Sequence, residues 1–213
     1  MKGRWPTLIL FAVVFALSRI PGMLSSDFAN FSAAYALAFC AGVYFPGRSG
    51  WALPLVLMIA TDAALNSYYS MRGWDVWTWP ALRYQVFNYV AYAAIFGLGR
   101  RFKPQSSFLG LLGGGLLGAL LFYFITNTAS WLFNPFQNPE YTKNFLGWLT
   151  ALIRGTHGWP DTWQFFRNTM LSGGLFTALF AGAMKWSASE SPADKTAGAP
   201  AEPADPEPAE EAA

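Results

Sequence analysis

The chain has 213 residues, 54% of them apolar, 18% aromatic and only 12% charged, with a net charge of +2. That balance leaves too little polar surface to cover a soluble globule and excludes a water-exposed domain over most of the length. The charge is also divided: up to Trp186 there are 13 Lys and Arg against 5 Asp and Glu, whereas residues 187–213 hold one Lys and seven acids.

Apolar residues come in blocks of roughly 16 to 26, and a bilayer core of about 30 Å takes about 20 helical residues. Spans are therefore expected at residues 5–20, 30–45, 51–67, 83–98, 108–133 and 162–186. The first block follows Lys2 and Arg4 in the manner of a signal peptide. No small-x-small cleavage pattern comes after it, and Arg19 is succeeded by Pro21 and Gly22, so a retained helix is expected. The second to fourth blocks are short, which requires protein rather than lipid to line their ends. The fold class expected is all-α, a polytopic six-helix bundle over residues 1–186. Residues 187–213, rich in Pro, Ala and Glu, lack the apolar content to pack and read as a disordered cytoplasmic tail.

Lys2, Arg4, Arg48, Arg100, Arg101, Lys103 and Lys185 fall on one side of a six-span topology. The positive-inside bias makes that side cytoplasmic and implies a multi-pass protein of a bacterial inner membrane with both termini in the cytoplasm. The opposite loops mix Arg72, Lys143 and Arg154 with Asp75, Glu140 and Asp161. Trp74, Trp77 and Trp79 lie in one of these loops, while Trp131, Trp148, Trp159 and Trp163 surround another. An interfacial aromatic belt and an aromatic cover over a ligand both suit this placement. The long connection 134–161 contains an apolar, helix-compatible stretch, 145–153, that either lies in the interface or dips back into the protein.

Small residues recur every fourth position: Ala34, Ala38 and Gly42, then Gly110, Gly114 and Gly118, then Gly174, Ala178 and Gly182. Such stripes let helix backbones approach closely. Ala12 and Ala16 repeat the spacing on the N-terminal helix, where docking of a partner is the alternative to internal packing. Cys40, the single cysteine, reads as a small buried residue.

Polar residues inside the blocks gather toward the non-cytoplasmic ends. They include Asn30, Asp62, Asn66, Asn88, Asn127, Arg167 and Asn168, with Trp131 nearby as a stacking wall. Ionisable groups in hydrocarbon are costly, so Asp62 and Arg167 are expected to face the bundle interior, and a pairing between them would offset that cost. Two readings fit: a network locking helices together, or a pocket for a small organic molecule. Enzymatic chemistry is not expected. His157 is the only histidine, no HExxH, GxSxG or Walker-type motif occurs, and Asp62 is the only carboxylate in a span. No metal, cofactor or nucleic-acid partner is called for.

The order Arg19-Ile-Pro, Asn30-Phe-Ser, Ala41-Gly-Val-Tyr-Phe45, Thr61-Asp62, Thr126-Asn127 with Trp131, and Phe166-Arg167-Asn168-Thr169 resembles a family of uncharacterised bacterial membrane proteins. That family in turn resembles the substrate-binding S components of energy-coupling-factor (ECF) transporters. The resemblance implies a six-helix bundle that binds a vitamin-like substrate near its outer side. It also implies that Ala12 and Ala16 dock on a transmembrane coupling subunit with its ATPases. The chain carries no N-terminal His motif of the metal-binding members, which implies an organic substrate.

Overall fold

The structure is a computed structural model that describes residues 5–45 and 47–189, and all regular structure among them is helical. Eight α-helices follow one another: α1 Trp5–Ser18, α2 Ile20–Leu24, α3 Ala34–Tyr44, α4 Ala52–Met71, α5 Trp79–Gly99, α6 Phe108–Phe133, α7 Phe145–Ile153 and α8 Thr162–Ser189. Short 3-10 turns, Ser26–Phe28 and Arg48–Trp51, precede α3 and α4. The expected blocks correspond to α1, α3, α4, α5, α6 and α8, and the stretch 145–153 is helix α7.

Helix α3 is the centre of the bundle. It is only 11 residues long, and every one of them is buried. At 1.5 Å per residue it reaches about 16 Å, and it needs no greater length because α5, α6 and α8 pack around it. Asn30 adopts φ 63° and Ala33 caps the helix without a side-chain bond, so helical geometry begins at Ala34, later than the expected start at 30. Helix α1 buries Phe11 and Phe15, with the Phe11 ring 4.1 Å from that of Phe180 on α8.

Small residues set the crossings. A Cβ at Gly42 would overlap the backbone oxygen of Phe96, and one at Gly99 that of Phe39, so α3 and α5 meet backbone to backbone at these two glycines. Gly115 faces Thr177, and Gly173 faces Ala119, at the α6–α8 crossing. Gly114 and Gly118 of the expected stripe meet Phe39 and Ile95, whereas a Cβ at Gly182 would meet nothing.

The outer surface of the bundle is apolar. Ile9, Leu10, Val13 and Leu17 on α1, Val56 and Ile59 on α4, Val86 and Val90 on α5, Leu117, Leu120 and Phe124 on α6, and Leu171, Leu175 and Leu179 on α8 are all exposed. Ala16 is exposed and Ala12 partly so, which leaves this pair outside the core. Among the described residues α6, with 26 residues, is the one helix long and apolar enough to cross a membrane by length and composition. Helix α8 continues to Ser189, three residues past the expected boundary of the bundle. The remainder of the expected tail, 190–213, lies outside the described residues.

Candidate ligand-binding site

Helix α4 ends, α5 begins, α6 ends and α8 begins at one end of the bundle. Loop contacts there draw the connections together: the Trp74 and Trp159 rings lie 5.7 Å apart, Tyr84 and Phe136 5.9 Å, and Phe87 stacks on Phe133 at 5.0 Å. Beneath these contacts lies a cavity of about 230 Å³ lined by the α1–α2 junction, the loop before α3, and helices α3, α4, α5 and α6. Its polar wall groups are Arg19, Asn30, Ser32, Tyr35, Tyr69, Asn88 and Tyr92.

The loop before α3 is held firmly in this wall. Asn168 on α8 is buried and donates through Nδ2 to the carbonyls of Asp27 at 2.6 Å and Ala29 at 2.9 Å. The Tyr35 hydroxyl donates to the Asn30 carbonyl at 2.8 Å, and Ser18 Oγ accepts the Ala33 N–H at 2.9 Å. These bonds satisfy irregular backbone that burial would otherwise make costly. They also fix Asn30 in its left-handed conformation.

The only salt bridge recorded among the described residues joins Arg19 to Asp62, with Nη2 2.6 Å from Oδ1. The other Asp62 oxygen accepts the Tyr89 hydroxyl at 2.8 Å, and Arg19 Nη2 lies 3.5 Å from Thr61 Oγ1. The Arg19 guanidinium also sits 5.2 Å from the centre of the Phe15 ring. This pair ties the α1–α2 junction to α4, and Tyr89 extends the link to α5. Its side chains are 16% and 13% exposed, so water screens it little. A second α4–α5 tie lies further along, where the amides of Asn66 and Gln85 bond reciprocally at 2.9 and 3.3 Å.

The residues expected in the site thus separate. Asn30 and Asn88 line the cavity. Asp62 stands behind Arg19, and its partner is Arg19 rather than the expected Arg167. Asn66 is committed to Gln85, and Asn168 to the loop carbonyls. Asn127 donates to the Tyr123 carbonyl of its own helix at 2.8 Å. Arg167 is exposed and, among the described residues, bonded only at 3.4 Å to the adjacent Asn168, with its guanidinium 5.9 Å from the Trp163 ring. Trp131 donates its indole N–H to the Thr142 carbonyl at 2.7 Å, and the Lys143 ammonium lies 5.5 Å from its ring. It braces the α6–α7 connection and is not part of the cavity wall.

The chain belongs to the family of unknown function DUF6580. The family's model matches residues 1–194. No curated protein and no solved structure matches the chain.

Helix α7 does not lie over the cavity. It docks on α6 and α8, with Gly147 and Ala151 buried, the Trp148 indole N–H 3.1 Å from Thr128 Oγ1, and Tyr123 donating to the Leu152 carbonyl. The loops flanking it are pinned by Glu140, whose Oε1 accepts the His157 N–H at 2.9 Å. That bond holds the Glu140 carboxyl below the usual carboxylate range, while burial pushes the neighbouring Tyr141 hydroxyl up to about 12. Among the described residues no group of three His, Cys, Asp or Glu is placed to hold a metal ion.

A second cavity, about 320 Å³, lies on the other side of Tyr92 between α3, α4 and α5. Ala38, Met58, Ala93 and Phe96 line it, and it offers almost no polar group to orient a ligand. Arg19 and the tyrosines of the polar cavity were absent from the site expected from sequence. The usable signal for Arg19 is an arginine bordering one apolar block when another block holds a single carboxylate, since buried charges seek each other. Tyr35, Tyr69 and Tyr92 carried no comparable signal.

Proposed function

We propose that this chain is a polytopic bacterial inner-membrane protein that captures a small organic molecule, as a substrate-binding subunit of an uptake transporter. The membrane part of the reading rests on three features. Helix α6 is long enough to span, the exterior of the other helices is apolar, and the short α3 is shielded by its neighbours. A large exposed apolar surface suits lipid and not water. Six spans, carried by α1, α3, α4, α5, α6 and α8, place Arg100, Arg101 and Lys103 with both termini in the cytoplasm and the polar cavity toward the outer face. The exposed Ala16 and the partly exposed Ala12 fit a flat contact for a second membrane subunit.

The observation that carries the binding role is the polar cavity itself. Amide, hydroxyl and guanidinium groups from separate helices converge on about 230 Å³ of space walled by aromatic rings, the usual make-up of a small-molecule pocket. A purely structural role draws support from Asp62, Asn66, Asn127 and Asn168, all bonded within the protein. Thermal melting separates the two. A small-molecule extract of the native membrane is expected to raise the melting temperature of the detergent-purified chain, because a ligand bound to the folded state stabilises it. Asn88→Trp, which fills the cavity, is expected to remove that rise while keeping the protein folded. No rise in the wild type refutes ligand capture, and a rise that survives Asn88→Trp places the ligand elsewhere.

A further inference from the structure

We infer that the cavity selects an uncharged, flat ring compound bearing a carboxamide or ring amide, anchored through its carbonyl oxygen by Arg19; this rests on the binding role proposed above. Charge decides the first point. The cation in the wall is already matched by Asp62 at 2.6 Å, and the pair is largely shielded from water. An anionic ligand would add a second negative charge beside Asp62, and a cationic one would face Arg19. Either leaves a charge without its counter-charge in a medium that screens poorly. An uncharged ligand keeps the site neutral.

The anchor follows from hydrogen-bond accounting. Arg19 directs Nη2 to Asp62 Oδ1 and Thr61 Oγ1, but its Nε is buried with no partner. That Nε has no surface open to the cavity, so the guanidinium reaches a ligand through Nη1, which bonds to no protein group among the described residues. Asn30 and Asn88 each offer a donor and an acceptor, the combination that pairs with an amide. Ring walls supply the shape. Phe122 lies 4.6 Å from Tyr35 and is stacked on Tyr92 at 5.1 Å, with Phe31 and Tyr69 also in the lining. Faces of this kind favour a planar partner.

Three probes of nearly equal size separate the possibilities: benzamide, benzoate and benzylammonium, titrated calorimetrically into the full chain in mild detergent. Benzamide is expected to bind at least about tenfold more tightly than either ion. Arg19→Lys keeps the positive charge beside Asp62 but removes the second terminal nitrogen of the planar guanidinium, and it is expected to weaken benzamide about tenfold. Tighter binding of benzoate or benzylammonium overturns the uncharged class and leaves the cavity as a binding site. Equal benzamide affinity in wild type and Arg19→Lys overturns the anchor. Failure of all three probes where the membrane extract still raises the melting temperature overturns this inference alone, and failure of both overturns the binding role as well.

Discussion

Replacing Arg19 with Met is expected to destabilise the bundle sharply, and replacing Asp62 with Leu in the same chain to recover most of the loss. The Asp62 carboxylate has two identified donors, Arg19 at 2.6 Å and Tyr89 at 2.8 Å, and the residue is 13% exposed. Removing the guanidinium leaves a shielded anion with one neutral donor, and breaking a buried pair in this way costs roughly 3–5 kcal/mol. Leu at 62 removes the stranded charge, so the double variant should return to within about 1–3 kcal/mol of wild type, the remainder reflecting the Tyr89 hydroxyl left without an acceptor. Adding Tyr89→Phe should close that gap. Unfolding titrations in mixed micelles on wild type and the single, double and triple variants give the cycle. If Arg19→Met is as stable as wild type, or the double variant is no better than the sum of the singles, the Arg19–Asp62–Tyr89 link is not what holds α4 in place.

Gly42→Val should cost more than the roughly 1–3 kcal/mol typical of overpacking, because the new side chain meets the Phe96 backbone and not a flexible tip; a variant that melts with wild type would contradict the close α3–α5 crossing. The Glu140 carboxyl is depressed by the His157 N–H, so its contribution is present above the ordinary carboxylate pKa and is lost as pH falls through the lower folded-state value. The melting temperature of wild type relative to Glu140→Gln should accordingly shrink with acidification, and a constant difference from neutral to acidic pH would exclude this role. For topology, cysteines at Ser49 and Ser189 are expected to be shielded from an impermeant thiol reagent in intact cells while one at Ser70 reacts; labelling at Ser189 from outside would overturn the arrangement with both ends in the cytoplasm.

Much of the helical layout was legible because lipid-sized apolar blocks are a strong signal. Helices α6 and α7 have the bounds read from hydropathy, since each is flanked by abrupt changes to polar or turn-forming residues. The expected spans stop short of the end of α4 and the start of α5. Asn66 and Arg83 mimic the polar edge of a span, yet α4 continues to Met71 and α5 begins at Trp79, with Asn66 and Gln85 bonded to each other inside the helical region. The site was legible only as a depth. Polar residues cluster at one end, but a sequence does not state which helices are neighbours: Arg167 suits Asp62 by depth as well as Arg19 does, yet the partner is Arg19 at the α1–α2 junction. Tyrosines that line the cavity are indistinguishable in sequence from those of a packed core.

Occupancy of the polar cavity is tested most directly by native mass spectrometry of the intact chain released from micelles, wild type against Asn88→Trp. After incubation with the membrane extract the wild type is expected to carry one adduct of a single small, uncharged mass, absent from the variant, which without extract melts as the ligand-free wild type does. A bare wild-type spectrum, or an adduct equally abundant in both proteins, would contradict ligand capture in the cavity lined by Arg19, Asn30 and Asn88.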